Sequence, residues 1–304
     1  MLKIQLTLLL VLLSGASALA ISPPARSVAS VSAVTGVTPA DLTPFDPEAP
    51  ALYELGLGIG GTMDRHYPGS DQTRLVALPF PFGIYRGEII QSDRGGTRAR
   101  LMTATNFDVS VSASGAFPLK SSEDVARTGM PDIGWTGQLG PKLRLQLRNW
   151  DDGAFLRAGL SARAAFSAND FSSVMGRGFV YEAEVVYERP NTFNDQIDFF
   201  SALSSSFGSE KYLDYLYTVP AAYATAGRTA YQAHPGLLES SLEAGFSYRT
   251  LNKKHKFVIS GQAGTLEGSS NLDSPLVKSR VDLTLAFAWV WTFFESKERA
   301  ARVD

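Results

Sequence analysis

From Tyr53 to Phe294 the chain keeps an apolar–polar alternation of period two, and that feature restricts it to long β-strands. The last segment states it most clearly. Val281, Leu283, Leu285, Phe287, Trp289, Trp291 and Phe293 fall on one face. Arg280, Asp282, Thr284, Ala286, Ala288 and Thr292 fall on the other, where Val290 is the only large apolar residue. A helix would spread both sets around its circumference, whereas a strand separates them. The pattern recurs upstream. Ile133, Trp135, Leu139, Leu143, Leu145 and Leu147 oppose Thr136, Gln138, Lys142, Arg144, Gln146 and Arg148. Leu238, Leu242, Phe246 and Tyr248 oppose Glu239, Ser241, Glu243 and Arg249. Phe107, Val109, Val111 and Phe117 oppose Asn106, Asp108, Ser110, Ser112 and Ser114. Ala154, Leu156, Leu160 and Phe166 oppose Arg157, Ser161 and Arg163, and Phe179, Tyr181, Val185 and Tyr187 oppose Glu182, Glu184 and Glu188.

A soluble β-sandwich or lipocalin-like barrel also alternates. Strands of about 12 to 16 residues exceed the usual five or six of globular sheets and suit a tilted membrane crossing. Trp150, Tyr187, Tyr248, Trp289, Trp291, Phe293 and Phe294 gather near strand ends, as in an interfacial aromatic girdle. The expected architecture is an all-β, transmembrane, antiparallel up-and-down β-barrel. Twelve strands can be drawn, at about 52–60, 74–86, 88–93, 97–103, 106–117, 132–148, 154–167, 178–189, 195–207, 237–250, 255–266 and 279–294. The count is ten if the short third and fourth are discounted. Links after odd strands (61–73, 118–131, 168–177, 208–236, 267–278) are mostly long, and links after even strands are short. Long outer loops and short periplasmic turns are what an outer-membrane barrel demands.

The ends place the barrel in an envelope. Lys3, the apolar run Leu6 to Leu13 and the small-x-small Ala18-Leu19-Ala20 read as a signal peptide over 1–20, cleaved after Ala20. An apolar run of about a dozen residues is too short for a spanning helix, which needs roughly 20. Residues 21–50, rich in Pro, Ser, Ala, Val and Thr, read as a flexible periplasmic lead, 51–294 as the barrel, and 295–304 as a charged periplasmic tail. Absence of cysteine excludes a lipoprotein anchor, disulfides and thiolate metal sites. Losing Lys3 with the signal takes the formal charge from −2 to −3, which argues against a nucleic-acid partner. A hydrophobic share of 44% is ordinary, as expected when only every second strand residue meets lipid.

Candidate chemistry is thin. His66 lies beside Asp64 and Arg65 in the first outer loop with Ser70 close by, His234 precedes Pro235 in the longest loop, and His255 opens a strand at the periplasmic side. His66 and His234 share the outer side, yet no G-x-S-x-G elbow surrounds Ser70. No His or carboxylate run has metal-ligand spacing. Gly56, Gly58, Gly60 and Gly61 alternate with Leu55, Leu57 and Ile59, so they are small inward strand residues rather than a phosphate loop. Neither catalysis nor a cofactor is expected. The inward face carries Lys142, Arg144, Arg148, Arg157, Arg163, Arg249 and Arg280 against Asp108, Glu182, Glu184, Glu188, Glu239, Glu243 and Asp282. Two readings follow: a salt-bridged lumen that fills the barrel, or a transverse field that steers solutes through a narrow pore, with the Tyr- and Ala-rich 208–236 loop as the candidate plug.

The strings YELGLGIG from Tyr53, YPGSD from Tyr67, LPFPFGIYRG from Leu78, SDRGG from Ser92, KYLDYLYTV from Lys211, AGRTAYQA from Ala226 and SPLV from Ser274 resemble the MipA/OmpV family (MltA-interacting protein) in order and spacing. The resemblance covers about residues 51 to 294. It implies an outer-membrane barrel in contact with outer-membrane lipid. In the namesake it also implies a structural adaptor that bridges a lytic transglycosylase and a peptidoglycan synthase, while other members resemble porins or adhesins. Two departures stand out: Phe294 is followed by the charged ESKERAARVD, where such barrels usually end on an aromatic residue, and the Pro-rich lead is long.

Overall fold

The structure, a computed structural model, describes residues 51, 53–86, 90–93, 96–99, 102–104, 107–169 and 173–298. The signal, the lead and the last six residues of the tail lie outside the described residues.

The alternating segments form one antiparallel sheet. Its strands are β1 (Tyr53–Arg65), β2 (Thr73–Arg86), β3 (Ile90–Asp93), β4 (Gly96–Ala99), β5 (Met102–Ala104), β6 (Phe107–Ala116) and β7 (Trp135–Asn149), then β8 (Phe155–Ala168), β9 (Val174–Arg189), β10 (Ile197–Gly208), β11 (Gly236–Arg249), β12 (His255–Thr265) and β13 (Val281–Glu295). Ten of them are 10 to 16 residues long, enough to cross a bilayer at a tilt, and β3 to β5 are pieces of three or four. The ten long strands answer to ten of the expected twelve, and the expected third and fourth, 88–93 and 97–103, are represented among the described residues by the short β3, β4 and β5. Strand order is a meander in which β1 and β13 pair from Glu54–Glu295 to Met63–Leu285. Joining the first and last strands is how a meander becomes a barrel and loses its edges. Around the remaining side, β4 lies against β6.

Burial runs opposite to that of a soluble protein. Leu285 is 61% exposed, while Ala286, one residue on, is 8% exposed. Along β13 the face drawn from sequence points outward and the Asp282–Thr284–Ala286–Thr292 face points into the lumen. The exposed apolar surface repeats on nine of the ten long strands, all but β6, and in a bilayer it is the solvated face. No helix among the described residues is long and apolar enough to cross a membrane; the strands do the crossing. At the end where β1 begins and β13 finishes, aromatic rings touch in sequence. Trp150 meets Tyr187 at 5.8 Å, Phe199 meets Phe246 at 5.3 Å, and His255 stacks on Trp289 at 5.9 Å. This is the expected girdle.

Several expected positions are corrected. β1 does not stop at 60: Gly61 to Met63 pair with β2 on one side and β13 on the other, so the first outer loop is only 66–72. Ile133 is buried, because it precedes β7 and bridges Leu119 in an outer loop. Ala154 is buried in the β7–β8 turn, its N–H on Asp152 Oδ1 at 3.1 Å. Leu238 turns inward because the β10–β11 register slips between Ser206 and Phe207, and one extra residue reverses the facing of the side chains beyond it. At the C-terminus, the ladder is extended past Glu295 by Ser296, whose N–H donates to the Tyr53 carbonyl at 2.8 Å.

Candidate functional site: a capped, ion-paired lumen

Three bases that β7 and β8 point inward meet three acids of neighbouring β9. Lys142 Nζ lies 2.6 Å from Glu184, Arg157 lies 2.7 Å from Glu188, and Arg163 lies 2.9 Å from Glu182. β8 and β9 are hydrogen-bonded neighbours, and Lys142 reaches over β8 from β7, so these three bases and the β9 acids neutralise each other at contact distance rather than across the lumen. The Arg163 fork is filled further by Ser161 Oγ at 2.9 Å and Gln138 Oε1 at 3.0 Å. Two bases assigned to the lumen lie elsewhere. Arg148 is carried past a register shift in β7 to the rim, over the Trp150 ring at 5.0 Å. Arg280 is exposed in the last outer loop and pairs with Glu267 at 3.1 Å.

Over the outer mouth four loops, 66–72, 117–134, 209–235 and 266–280, fold into one cap. The third begins with helix α1 (Glu210–Tyr217), which buries Tyr212, Leu213, Leu216 and Tyr217. Their i, i+1, i+4, i+5 spacing makes one apolar stripe, and it faces the barrel. Gly178, at φ +89°, leaves room for Ser209 Oγ, which accepts the Phe179 N–H at 2.9 Å and fixes where the helix starts. Tyr212 then reaches the lumen wall, its hydroxyl accepting from Gln138 Nε2 at 3.3 Å. Beneath the cap a cavity of about 100 Å³ remains, lined in part by Glu239, Ser241, Glu243 and Gln262. It has room for a few waters, not for a solute stream.

The loops hold one another through buried polar groups. Tyr67 donates to the Leu276 carbonyl and Tyr217 to the Pro68 carbonyl, each at 2.8 Å, while Ser274 Oγ donates to the Tyr217 carbonyl at 2.9 Å. Arg127 donates to the Leu216 carbonyl at 2.9 Å and stands over the Tyr67 ring. Arg228 reaches the carbonyls of Ala126 and Thr128 at 2.9 and 3.0 Å. Burial pushes the Tyr212 phenol up to about 12 and raises those of Tyr67 and Tyr217 as well, so all three stay protonated at any physiological pH.

Asp124 is the hub. Its Oδ2 lies 3.0 Å from His66 Nδ1 and accepts from Ser70 Oγ at 2.8 Å. Burial would raise this carboxyl, but the hydrogen bonds from His66 and Ser70 outweigh that and hold it below its ordinary value. The Ser, His and Asp are therefore together, in an order that does not make a nucleophile. A relay needs the imidazole between hydroxyl and carboxylate, whereas here the carboxylate stands between the other two. His234 does not join them; it packs on Tyr231, and its N–H donates to Asn271 Oδ1 at 2.8 Å. Among the described residues no three His, Cys, Asp or Glu side chains converge as a metal site.

Sequence reasoning missed Asp124, Arg127 and Arg228, since single polar residues in loops of unknown path carry no periodic signal. It also drew β2, at 74–86, without assigning its faces. Val76, Leu78, Phe80 and Phe82 point inward there, and a Cβ at Gly56 or Gly58 would collide with the Phe82 or Phe80 ring. The glycine alternation of β1 is the mould of that aromatic stripe, and it was visible.

The strings that carry the family resemblance converge on this geometry. YPGSD supplies Tyr67 and Ser70, KYLDYLYTV is the cap helix, AGRTAYQA contains Arg228, SPLV contains Ser274 and Leu276, and YELGLGIG with LPFPFG builds the β1–β2 stripe. A family model described as MltA-interacting protein MipA matches residues 57–293. The chain belongs to the MipA family. It is a bacterial outer-membrane β-barrel. A search of curated proteins gave no match. Among solved structures this MipA-family chain is similar to the NanC porin, at 12% identity and TM-score 0.36 over 77% of this chain and 98% of that one. It is also similar to OprB of Pseudomonas putida, at 9% and 0.39 over 79% and 94%, and to the CymD monoaromatic hydrocarbon channel, at 13% and 0.36 over 87% and 93%.

Proposed function

We propose that this protein is a structural adaptor of the outer membrane that holds peptidoglycan-remodelling enzymes, a lytic transglycosylase and a peptidoglycan synthase, against the barrel's periplasmic end. The observation that carries the reading is the capped lumen: four interlocked loops over the outer mouth and three ion pairs across β7–β9 suit a barrel to anchoring. The family description, MltA-interacting, supports the partner class. The exported chain is taken to lose residues 1–20 and to offer partners the lead 21–50, the short turns and the tail. No residue is assigned a catalytic role. Chemical crosslinking in intact envelopes followed by pull-down tests it: wall enzymes should be recovered with the barrel, and their absence refutes the adaptor.

A second reading has one observation behind it. Below the cap the wall is hydrophilic, with Ser204, Ser206, Ser241, Glu239, Glu243 and Gln262 around the cavity. If the cap moves, the barrel becomes a narrow diffusion channel.

A further inference from the structure

We infer that the turn between β11 and β12 binds the anionic phospholipid headgroups of the periplasmic leaflet. The turn reads Thr250-Leu251-Asn252-Lys253-Lys254, with Arg249 before it and His255 and Lys256 after it, and no acid occurs from Ala244 to Leu266. Its shape is held. Asn252 Oδ1 accepts from Thr250 Oγ1 at 2.7 Å and from the Lys254 N–H at 3.1 Å, and Thr292 of β13 donates to the Lys254 carbonyl at 2.8 Å. Lys253 sits at φ +56°, a left-handed backbone that lysine rarely adopts, so the bonds around it impose the conformation.

The surroundings give the depth. His255 stacks on Trp289 and Trp291, and Tyr248 lies 6.2 Å from Phe257, all on the lipid-facing side. Such rings lie at the level where acyl chains give way to headgroups. The turn, one residue beyond them, stands at the level of the phosphates. Two apolar side chains flank it: Leu251 is 87% exposed, and Phe193 of the adjacent β9–β10 turn is 72% exposed while leaning on lipid-facing Phe246 at 5.9 Å. Gln196 Nε2 donates to the Arg249 carbonyl at 3.0 Å and makes the two turns one platform. Lys253 and Lys254 are exposed, and among the described residues no carboxylate pairs with the Lys254 ammonium. An exposed leucine and phenylalanine beside cations suit a surface that is apolar below and anionic above. An anionic wall polymer would satisfy the lysines and leave Leu251 and Phe193 in water.

The full-length protein would be placed in bilayers of phosphatidylcholine with spin-labelled phosphatidylglycerol or phosphatidylcholine as probe. The immobilised fraction should favour phosphatidylglycerol, and the preference should fall by about two- to fivefold in K253Q/K254Q. K211Q/K278Q, changed on the outer loops, should keep it. Heat-modifiable mobility reports folding, and should the turn variant fail to fold, loss of the wild-type preference in high salt serves in its place. No preference in the wild-type protein, a preference indifferent to both variant and salt, or lysine-dependent binding to isolated sacculi without lipid preference would each overturn the proposal.

Discussion

At the residue scale, one carboxylate and one pair of neighbours make the sharpest tests. Asp124 is fully buried and ties loop 66–72 to loop 117–134 through His66 and Ser70. Removing it leaves those partners buried without their acceptor, at a cost of about 2–4 kcal/mol. Asp124→Ala should therefore expose 120–130 to protease while the strands stay protected. Because the folded carboxyl lies below its unfolded value, its contribution is whole above the ordinary carboxylate range and is lost only as pH falls through the lowered value. Protection of the cap amides, taken relative to their intrinsic exchange rates at each pH, should be flat from pH 7 to 5 and fall in stronger acid; a fall near neutrality would mean that another group governs it. The second test compares sides of the wall. Leu285→Arg puts a cation into lipid at a cost of about 2–4 kcal/mol near mid-membrane, whereas Thr284→Arg, facing the lumen, should cost far less. Equal urea midpoints for the two variants would refute the assignment of faces.

At the element scale, the strands were legible because alternation is enforced twice, by lipid outside and by the lumen inside. It failed where only one constraint holds. Ile133 and Ala154 alternate in phase with their strands but sit just beyond them, and Leu238 follows a bulge that no local pattern announces. The cap was legible only as a Tyr- and Ala-rich loop. Its helix is eight residues long, and its carbonyl-bound arginines depend on loops brought together from 89 to 102 positions apart. Conduction is tested on that element. Intact protein should be silent in planar bilayers, and replacing 210–233 with a short flexible linker should produce steps. Lys142, Arg157 and Arg163 are held by β9 acids, so neutralising any one of them should change the size of those steps less than removing the cap does. Conductance in the intact protein would favour the channel reading; a silent uncapped barrel would leave the ion-paired lumen itself as the block.

At the scale of the whole molecule, the question is which surface a periplasmic partner could hold. Described turns on that side are short: 150–154, 190–196 and 250–254. Together they offer little of the roughly 800 Å² that each partner buries in a standard interface. If the turn at 250–254 is occupied by lipid, less remains. The lead 21–50 is thirty residues of Pro-, Ser- and Val-rich sequence placed directly before β1, long enough to supply the missing area by ordering on contact, with an entropic cost that keeps binding moderate. Deleting residues 24–48 while keeping residues 1–23 should leave a heat-modifiable barrel, because the contacts of β1 with β13 and with Ser296 begin at Tyr53. Recovery of wall enzymes with that variant should fall clearly below the intact chain. Undiminished recovery would move the contact to the turns and make the lead a spacer. A barrel that no longer assembles would mean that the lead serves folding, a role the β1–β13 ladder gives no reason to expect.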